Sequence, residues 1–242
     1  MVTRAILLAA GRGRRLQRDE PKCLTVIAGK TLLERHVENL AAAGIESLTI
    51  VVGHKQELIR ELLQAKQFKL PIELVDNPRF VHGSIVSLQV AGELLERGAI
   101  WMDADVLYPA ALMKKLVESK HENCVLLDRR SEESGEEMML GFRDGRIQMI
   151  ARRVSPSGPW DVSGEAVGFA KVGAAGGAVM RRILDTEVAA GRLDQEYEAA
   201  MNTCFGEIVW GYEPVDEFAW TEIDFQEDVE KAERIAAGSA GF

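Results

Sequence analysis

The stretch LLAAGRGRRLQRDEPKCL, residues 7–24, sets the reading of the whole chain. It follows an apolar run and carries five cations, two glycines and a Pro-Lys pair. The 242-residue chain around it is acidic, with a formal net charge of −9. A local cluster of cations inside an acidic protein is suited to an anion, because a cleft lined by one sign concentrates its counter-ion against the overall field. Residues 5–10 read as a buried strand, which places the two glycines at its carboxyl end.

Three anion-binding patterns compete for this loop. The dinucleotide pattern G-x-G-x-x-G requires a small residue at position 16, where Leu16 stands, and its helix is delayed to Thr31. A P-loop ending in Gly29-Lys30-Thr31 requires a glycine at position 24, where Leu24 stands. A backbone nest fits. Gly11 and Gly13 keep side chains away so that N–H groups can approach a phosphate. Arg15 offers a planar fork to phosphate oxygens, and Lys22, stiffened by Pro21, adds a point charge. A solvated basic loop would show the same spacing, so the loop alone leaves both readings open.

Working outward, apolar runs alternate with amphipathic stretches. The sequence predicts strands at 5–10, 48–52, 72–75 and 99–102, and helices at 31–43, 56–64, 84–95 and 109–117. Thr31 and Glu34 have capping-box spacing, Gly44 can end the helix they start, and Ser84 is placed near an N-cap. Such alternation gives a mostly parallel sheet with helices on both faces. After Cys124 the pattern changes: strands at 124–127, 138–142, 146–151, 166–172, 208–212 and 221–223, and helices at 174–190, 197–204 and 226–237. Arg143-Asp144-Gly145 reads as a hairpin turn. Residues 128–137 read as a solvated loop or lid. With no repeat and no Pro/Gly linker, the second half is expected to be an antiparallel extension of the same sheet.

Composition narrows the class further. Apolar residues make up 47% and charged residues 28%, which is the balance of a globular protein with a real core. Cys23, Cys124 and Cys204 are too scattered for a disulfide framework or a zinc site, which suits a reducing, cytoplasmic compartment. Cys23, beside Lys22, is read as a small residue in a turn. No run approaches the ~20 apolar residues of a membrane span, and a nucleic-acid partner does not suit the acidic balance. His36, His54, His82 and His121 lack metal-ligand spacing.

Two acidic segments match the basic loop. Asp103 and Asp105 end a buried strand, two residues apart and so on one side of the pleat. Glu222 and Asp224 repeat the arrangement after a short strand near the C-terminus. Capping of the following turns would account for either pair alone. A divalent cation shared between two strand ends, held by the oxygen ligands that Mg²⁺ prefers, accounts for both pairs and for the basic loop.

Together these segments resemble the nucleotidylyltransferase superfamily that includes the sugar-1-phosphate nucleotidylyltransferases. The resemblance is carried by residues 8–16, by Pro21-Lys22-Cys23-Leu24, by residues 29–34 and by Val51-Val52-Gly53. Within it, Asn77, residues 84–88, Asp103-Ala104-Asp105, Gly168-Phe169 and Glu222-Ile223-Asp224 are similar to the small bacterial cytidylyltransferases acting on phosphocholine, 2-aminoethylphosphonate or related esters. His82-Gly83-Ser84-Ile85 departs from the asparagine-rich stretch of that group.

The resemblance implies one three-layer α/β/α Rossmann-like domain over residues 1–242, with a mixed, mostly parallel central sheet. Residues 1–127 would bind nucleotide and 128–242 the acceptor. It implies Mg²⁺-dependent transfer of CMP from CTP to a small phosphate or phosphonate acceptor, the phosphocholine, 2-aminoethylphosphonate or inositol phosphate type, with release of pyrophosphate. A sugar-1-phosphate nucleotidylyltransferase using UTP, CTP or another NTP, and a non-catalytic nucleotide-binding module, are the alternatives. Leu8, Ala9, Ala10, Gly11 and Gly13 would meet base and phosphates, with Asn77, Ser84, Ser87 and Asp103 also on the nucleotide side. Arg15 and Lys22 would hold phosphates, and Asp105 and Asp224 the Mg²⁺. Trp160, Glu165, Tyr197 and Glu222 are the acceptor candidates. A quaternary ammonium would need an aromatic cage, drawn from Trp160, Tyr197, Trp210 and Trp220, with Asp161, Asp194, Glu165 or Glu222 beside it. A primary ammonium would need carboxylates more than rings, and a polyol a hydroxyl-reading set. Homodimer formation is left open.

Overall fold

The run RAILLA forms the first strand, β1 (Arg4–Ala9), of a computed structural model that describes residues 2–16, 19–130, 137–152 and 158–238. Its side chains alternate between two interiors. Ala5, Leu7 and Ala9 enter one apolar core, while Ile6 and then Ala10 enter another, as the two-residue period of a strand requires. A strand buried on both faces needs helices on both faces, and the chain supplies them.

A small hairpin of β2 (Val26–Ile27) and β3 (Lys30–Thr31) leads into α1 (Leu32–Ala42). Then come β4 (Ser47–Val52), α2 (Gln56–Ala65), β5 (Ile72–Asp76), α3 (Ser84–Val90) and α4 (Gly92–Leu95). They are followed by β6 (Ala99–Asp103), β7 (Val106–Leu107), α5 (Ala110–Glu118) and β8 (Cys124–Asp128). The hairpin of β9 (Met139–Arg143) and β10 (Arg146–Ala151) precedes the long β11 (Val162–Val172). Last are α6 (Ala174–Ala189), α7 (Tyr197–Phe205), β12 (Gly211–Pro214), β13 (Thr221–Glu222) and α8 (Gln226–Gly238). Helices α1, α2 and α5 pack on the face that holds Leu7, and α3, α4, α6 and α7 on the face that holds Ile6. The result is a three-layer α/β fold. Among the described residues no helix is long and apolar enough to cross a membrane.

Nine strands of the described residues share one sheet. At its centre β6, β1, β4 and β5 are parallel neighbours in that order. β11 pairs antiparallel with β6, β8 and β9, and β12 lies parallel to β8. The second half of the chain thus extends the same sheet largely in antiparallel fashion. From β1 the chain builds outward through β4 and β5, then crosses to β6 on the opposite side of β1. That reversal opens a crevice at the carboxyl ends of β1 and β6, where open α/β sheets receive ligands.

Several boundaries differ from the sequence reading, each for a local reason. The helix expected over 84–95 is interrupted at Ala91, whose φ of −95° and ψ of 7° end α3; its N-cap is Gly83, next to Ser84 as expected. The strand expected from 208 begins at 211. The amides of Glu207 and Ile208 still bond to the Cys204 carbonyl, while Trp210 packs against Trp101 and Phe205. β11 begins four residues earlier than the apolar pattern shows, because Val162 to Glu165 are held by pairing with β9. Of the loop expected over 128–137, Asp128 completes β8, and residues 131–136 lie outside the described part. At the β9–β10 turn Asp144 and Gly145 take φ of 52° and 69°, the double left-handed geometry of a type I′ hairpin.

A third, smaller core joins the two ends of the chain. Leu16, Ile27 and Leu32 pack with Leu107, Ile223, Val229 and Ala232, so α8 lies against the opening loop. The Glu233 carboxylate accepts the amide of Ala28 at 3.0 Å. Next to this contact, the Thr31 hydroxyl accepts the Glu34 amide at 3.1 Å, and the Glu34 carboxylate accepts the Thr31 amide at 2.9 Å. This is the capping box that the sequence predicts. Thr31→Ala is expected to lower stability by about 1 kcal/mol, read as a lower urea midpoint with an unchanged m-value.

Candidate active site

After Ala9 the chain leaves the sheet and turns at Gly11. Gly13 takes a φ of +57°, and a Cβ there would lie 2.9 Å from the Lys22 Cγ. Glycine at 13 therefore serves both the left-handed backbone and the close passage of the lysine stem. A short 3₁₀ turn, Lys22–Leu24, starts at Pro21 and buries Cys23 beneath it. Lys22 is thereby aimed at the carboxyl end of β6.

The carboxylates that meet it are brought together by one ladder. β7 and β13 pair antiparallel, with Glu222 opposite Val106, and the Ile223 amide donates to the Asp105 carbonyl at 2.9 Å. This register sets the residues after β6 beside those after β13. Ligand oxygens of Asp105, Glu222 and Asp224 all lie within 4.8 Å of one another. Lys22 Nζ donates to Asp105 at 2.8 Å and also to Asp224. Arg15 donates to Asp224 at 3.0 Å. Asp105 and Asp224 thus face the Gly11 turn and are near enough to share an ion. An all-oxygen, carboxylate-rich set matches the donors that a hard divalent cation takes.

The charges reinforce this description. Burial pushes the Lys22 ammonium toward deprotonation, but Asp105 and Asp224 outweigh it and hold its pKa above the usual lysine value. Burial alone would raise Asp224, yet Lys22 and Arg15 hold its carboxyl below the ordinary range. Glu222 is pushed up to about 8 by burial and by the charges of Asp105 and Asp224, with Lys22 opposing. Asp103 is raised well above the carboxylate range by burial, then by Glu198, Asp105 and Glu222. The Tyr197 hydroxyl donates to Asp103 at 2.9 Å. Gly168, at φ +78°, lies so close that any Cβ would collide with the Asp103 carboxylate.

Two connected spaces open from this cluster. One, of about 270 Å³, is lined by Leu8, Ala9, Gly11, Gly13, Arg15 and Lys22. The other, of about 450 Å³, touches Lys22 and Asp105 and reaches Ser84, Asp103, Tyr197 and Glu198. A third cavity of about 680 Å³ shares Glu222 and Asp224 and includes Glu165, Asp128, Trp220 and Phe225. Ala10 is buried, and its carbonyl accepts the His54 amide. Ser84 accepts the Tyr197 amide at 2.9 Å.

Not every candidate residue reaches these spaces. Asn77 donates to Ser87 at 3.0 Å, and both are buried away from the cavity linings. Trp160 lies on Gly141 of β9 so closely that a Cβ there would be 2.7 Å from its ring, and it lines none of the three. Trp210 is a core residue at 2% exposure.

Three contributors had no clear mark in the sequence. Glu198 follows Tyr197 in the first turn of α7, where a glutamate reads as an ordinary partner of the helix dipole. Arg152 lines the 450 Å³ cavity and pairs with Glu196 at 2.5 Å. His36 is fully buried; its Nε2 lies 3.1 Å from the Ala104 carbonyl and its Nδ1 3.3 Å from the Tyr108 hydroxyl. Burial pushes its pKa down to about 4, so a neutral ring donates to that carbonyl and fixes the turn between Asp103 and Asp105.

A basic glycine turn set across from strand-end carboxylates, at the point where the strand order reverses, defines a nucleotidyltransferase domain. Residues 5–167 match the MobA-like NTP transferase domain, and the chain belongs to that family. It is 26% identical over 241 residues to CMP-5'-(3-aminopropyl)phosphonate synthase of Streptomyces rubellomurinus, covering 95% of this chain and 38% of that protein. Two solved structures share the fold. One is CTP:phosphocholine cytidylyltransferase from Streptococcus pneumoniae, with TM-score 0.79, 23% identity, and 98% of this chain and 100% of that chain covered. The other is the inositol-1-phosphate CTP transferase from T. maritima, with TM-score 0.77, 19% identity, and 99% of this chain and 98% of that chain covered. The chain spans between 33% and 53% of the length of the first curated relatives it matches.

Glu198, 8% exposed, is pushed up to about 7, first by burial and then by Glu196, with Arg152 opposing. Its folded pKa lies above the ~4.3 of an unfolded glutamate. It therefore favours the fold fully below that value, and the contribution is lost as pH rises through 7. The urea midpoint of the ligand-free protein is expected to fall between pH 5 and 8, and to fall less steeply in Glu198→Gln; equal slopes would remove Glu198 as a source.

Proposed function

We propose that the chain is a cytidylyltransferase, which transfers CMP from CTP to a small phosphate or phosphonate acceptor and releases pyrophosphate. The observation that carries this reading is the meeting of Lys22 with Asp105 and Asp224 beside the Gly11–Gly13 turn. The named relatives, which use CTP or make CMP esters, support the choice of nucleotide. The nucleotide would lie against residues 1–127 and the acceptor against residues 128–242.

In this reading the backbone from Leu8 to Gly13 faces the nucleotide, and Arg15 and Lys22 neutralise its phosphates. Asp105 and Asp224, with Glu222 beside them, would hold Mg²⁺; when bound, the ion supplies Lewis-acid charge to phosphate oxygens. Lys22 already touches both aspartates, so it can exchange a carboxylate for a phosphate oxygen with a small movement of its flexible end. The acceptor oxygen, ionised at neutral pH, forms the new bond to the α-phosphorus. The bridging bond to the β-phosphate breaks and its electron pair leaves with pyrophosphate. No proton has to be removed, so the work of the residues is to bring two anions together and hold them in line.

Purified protein with CTP and Mg²⁺ is expected to release pyrophosphate with a member of an acceptor panel comprising phosphocholine, 2-aminoethylphosphonate, inositol phosphate and glucose 1-phosphate. Lys22→Ala and Asp105→Ala are each expected to lose at least ~10²–10³ in kcat, or ~2.7–4 kcal/mol, by comparison with oxyanion-site deletions, while keeping a folded circular-dichroism spectrum. Near-normal turnover by either variant would take that residue out of the mechanism. Binding of CTP with no pyrophosphate from any acceptor would favour a nucleotide-binding module instead.

A further inference from the structure

The larger of the two connected spaces has a wall that bears on the acceptor's tail, given the transfer proposed above. The 450 Å³ cavity reaches from the Lys22 cluster to Asp103 and to Glu198 of α7. Glu198 is 8% exposed, and both carboxylates line this one cavity. Among the described residues, neither of these two carboxylates forms an ion pair. Asp103 is met by the neutral Tyr197 hydroxyl, and Arg152, on the same lining, pairs with Glu196. Two carboxylates lining one poorly solvated wall, whose nearby Arg152 is already engaged by Glu196, are favoured by a proton or a bound cation between them.

The same wall offers little to a quaternary ammonium, which has no N–H and depends on aromatic faces. Among the described residues, the aromatic ones lining the cavity are Phe169 and Tyr197. Phe169, 2% exposed, stands edge to face with Tyr108 at 4.8 Å between ring centres. Tyr197, 3% exposed, is set the same way against Trp101 at 6.2 Å. Both rings are packed into the core. In the neighbouring 680 Å³ cavity, Phe225 already carries the Arg15 guanidinium at 5.9 Å, and the Trp220 Nε1 donates to Asp128.

We infer that the acceptor carries a primary ammonium, as a short aminoalkyl phosphate or phosphonate, whose N–H donors are received by Asp103 and Glu198. Its anionic end is then directed to the Lys22 side and its cationic end to α7. Glu198 is the specificity-determining residue of this arrangement, because it supplies the second carboxylate that a neutral tail has no use for.

The test compares three acceptors with one phosphate ester and different heads: 2-aminoethyl phosphate, phosphocholine and ethyl phosphate, each with CTP and Mg²⁺ at pH 8. The kcat/KM for 2-aminoethyl phosphate is expected to exceed each of the others by about 10- to 100-fold, the worth of a charged hydrogen bond. Glu198→Gln is expected to narrow its lead over ethyl phosphate to below about threefold, whereas Glu198→Asp keeps part of it. If the glutamine variant does not fold, the wild-type comparison decides alone. Phosphocholine or ethyl phosphate used equally well, or an unchanged ratio in Glu198→Gln, overturns the inference. Should inositol phosphate or glucose 1-phosphate release pyrophosphate while none of the three does, the amine assignment falls and the transferase reading stands. Release with no acceptor at all brings down both.

Discussion

Lys22, held between Asp105 and Asp224, is the contact on which the rest of the site depends. Three carboxylates within 4.8 Å of one another repel strongly in a partly dry setting. The ammonium makes that gathering tolerable in the free chain, and it does so by linking residues 83 and 202 positions away from it. Buried ion pairs of this sort are weak contributors to stability, since desolvation offsets much of the attraction.

Packing holds that contact in place. The cores on either side of the sheet fix β1 and β6, whose carboxyl ends carry the glycine turn and the Asp103-Ala104-Asp105 turn. The third core, around Ile27, Leu107 and Ile223, fixes the C-terminal strand and helix against the opening loop. Asp224 is delivered by that apolar seam and by the β7–β13 ladder, not by its attraction to Lys22 alone. Reacting groups set on such rigid elements keep their geometry better than groups on free loops. At Gly13 and Gly168 the absence of a Cβ lets a lysine stem and a carboxylate come closer than any other residue would allow.

How much of this was legible follows from the range of each interaction. The strand–helix alternation through residue 127 and the Thr31–Glu34 capping box are local patterns, and they read correctly apart from the break at Ala91 and the two-residue strands β2, β3 and β7, which carry too few residues for a period. The opening loop and the two acidic strand ends were visible as residue types at the end of apolar runs. Their convergence depends on the register of β7 against β13, two strands of two residues each, which no periodicity can reveal. β11 shows the same limit: its first four residues are strand only because β9 lies beside them. Glu198 and His36 are invisible for a different reason. A glutamate in a helix's first turn and a histidine within an amphipathic helix have ordinary explanations, and only burial sets them apart. Trp160 illustrates the converse, a conspicuous residue that covers a glycine on a strand.

The layer beneath the site is polar but kept uncharged. Burial pushes the Cys23 thiol up to about 12 and the His36 imidazole down to about 4, and it raises the Tyr108 phenol above its ordinary value. At neutral pH all three are therefore neutral, although each could carry charge in water. A charged imidazole at position 36 would compete with Lys22 for Asp105, and a thiolate at 23 would repel the same carboxylate. Because neither forms, the layer adds no charge of its own behind Lys22, Asp105 and Asp224. The neutral layer supplies hydrogen bonds, such as that from His36 to the Ala104 carbonyl, without adding to the field. Separating the groups that position from the groups that carry charge lets a crevice in an acidic protein set the cations of Arg15 and Lys22 beside the carboxylates of Asp105 and Asp224.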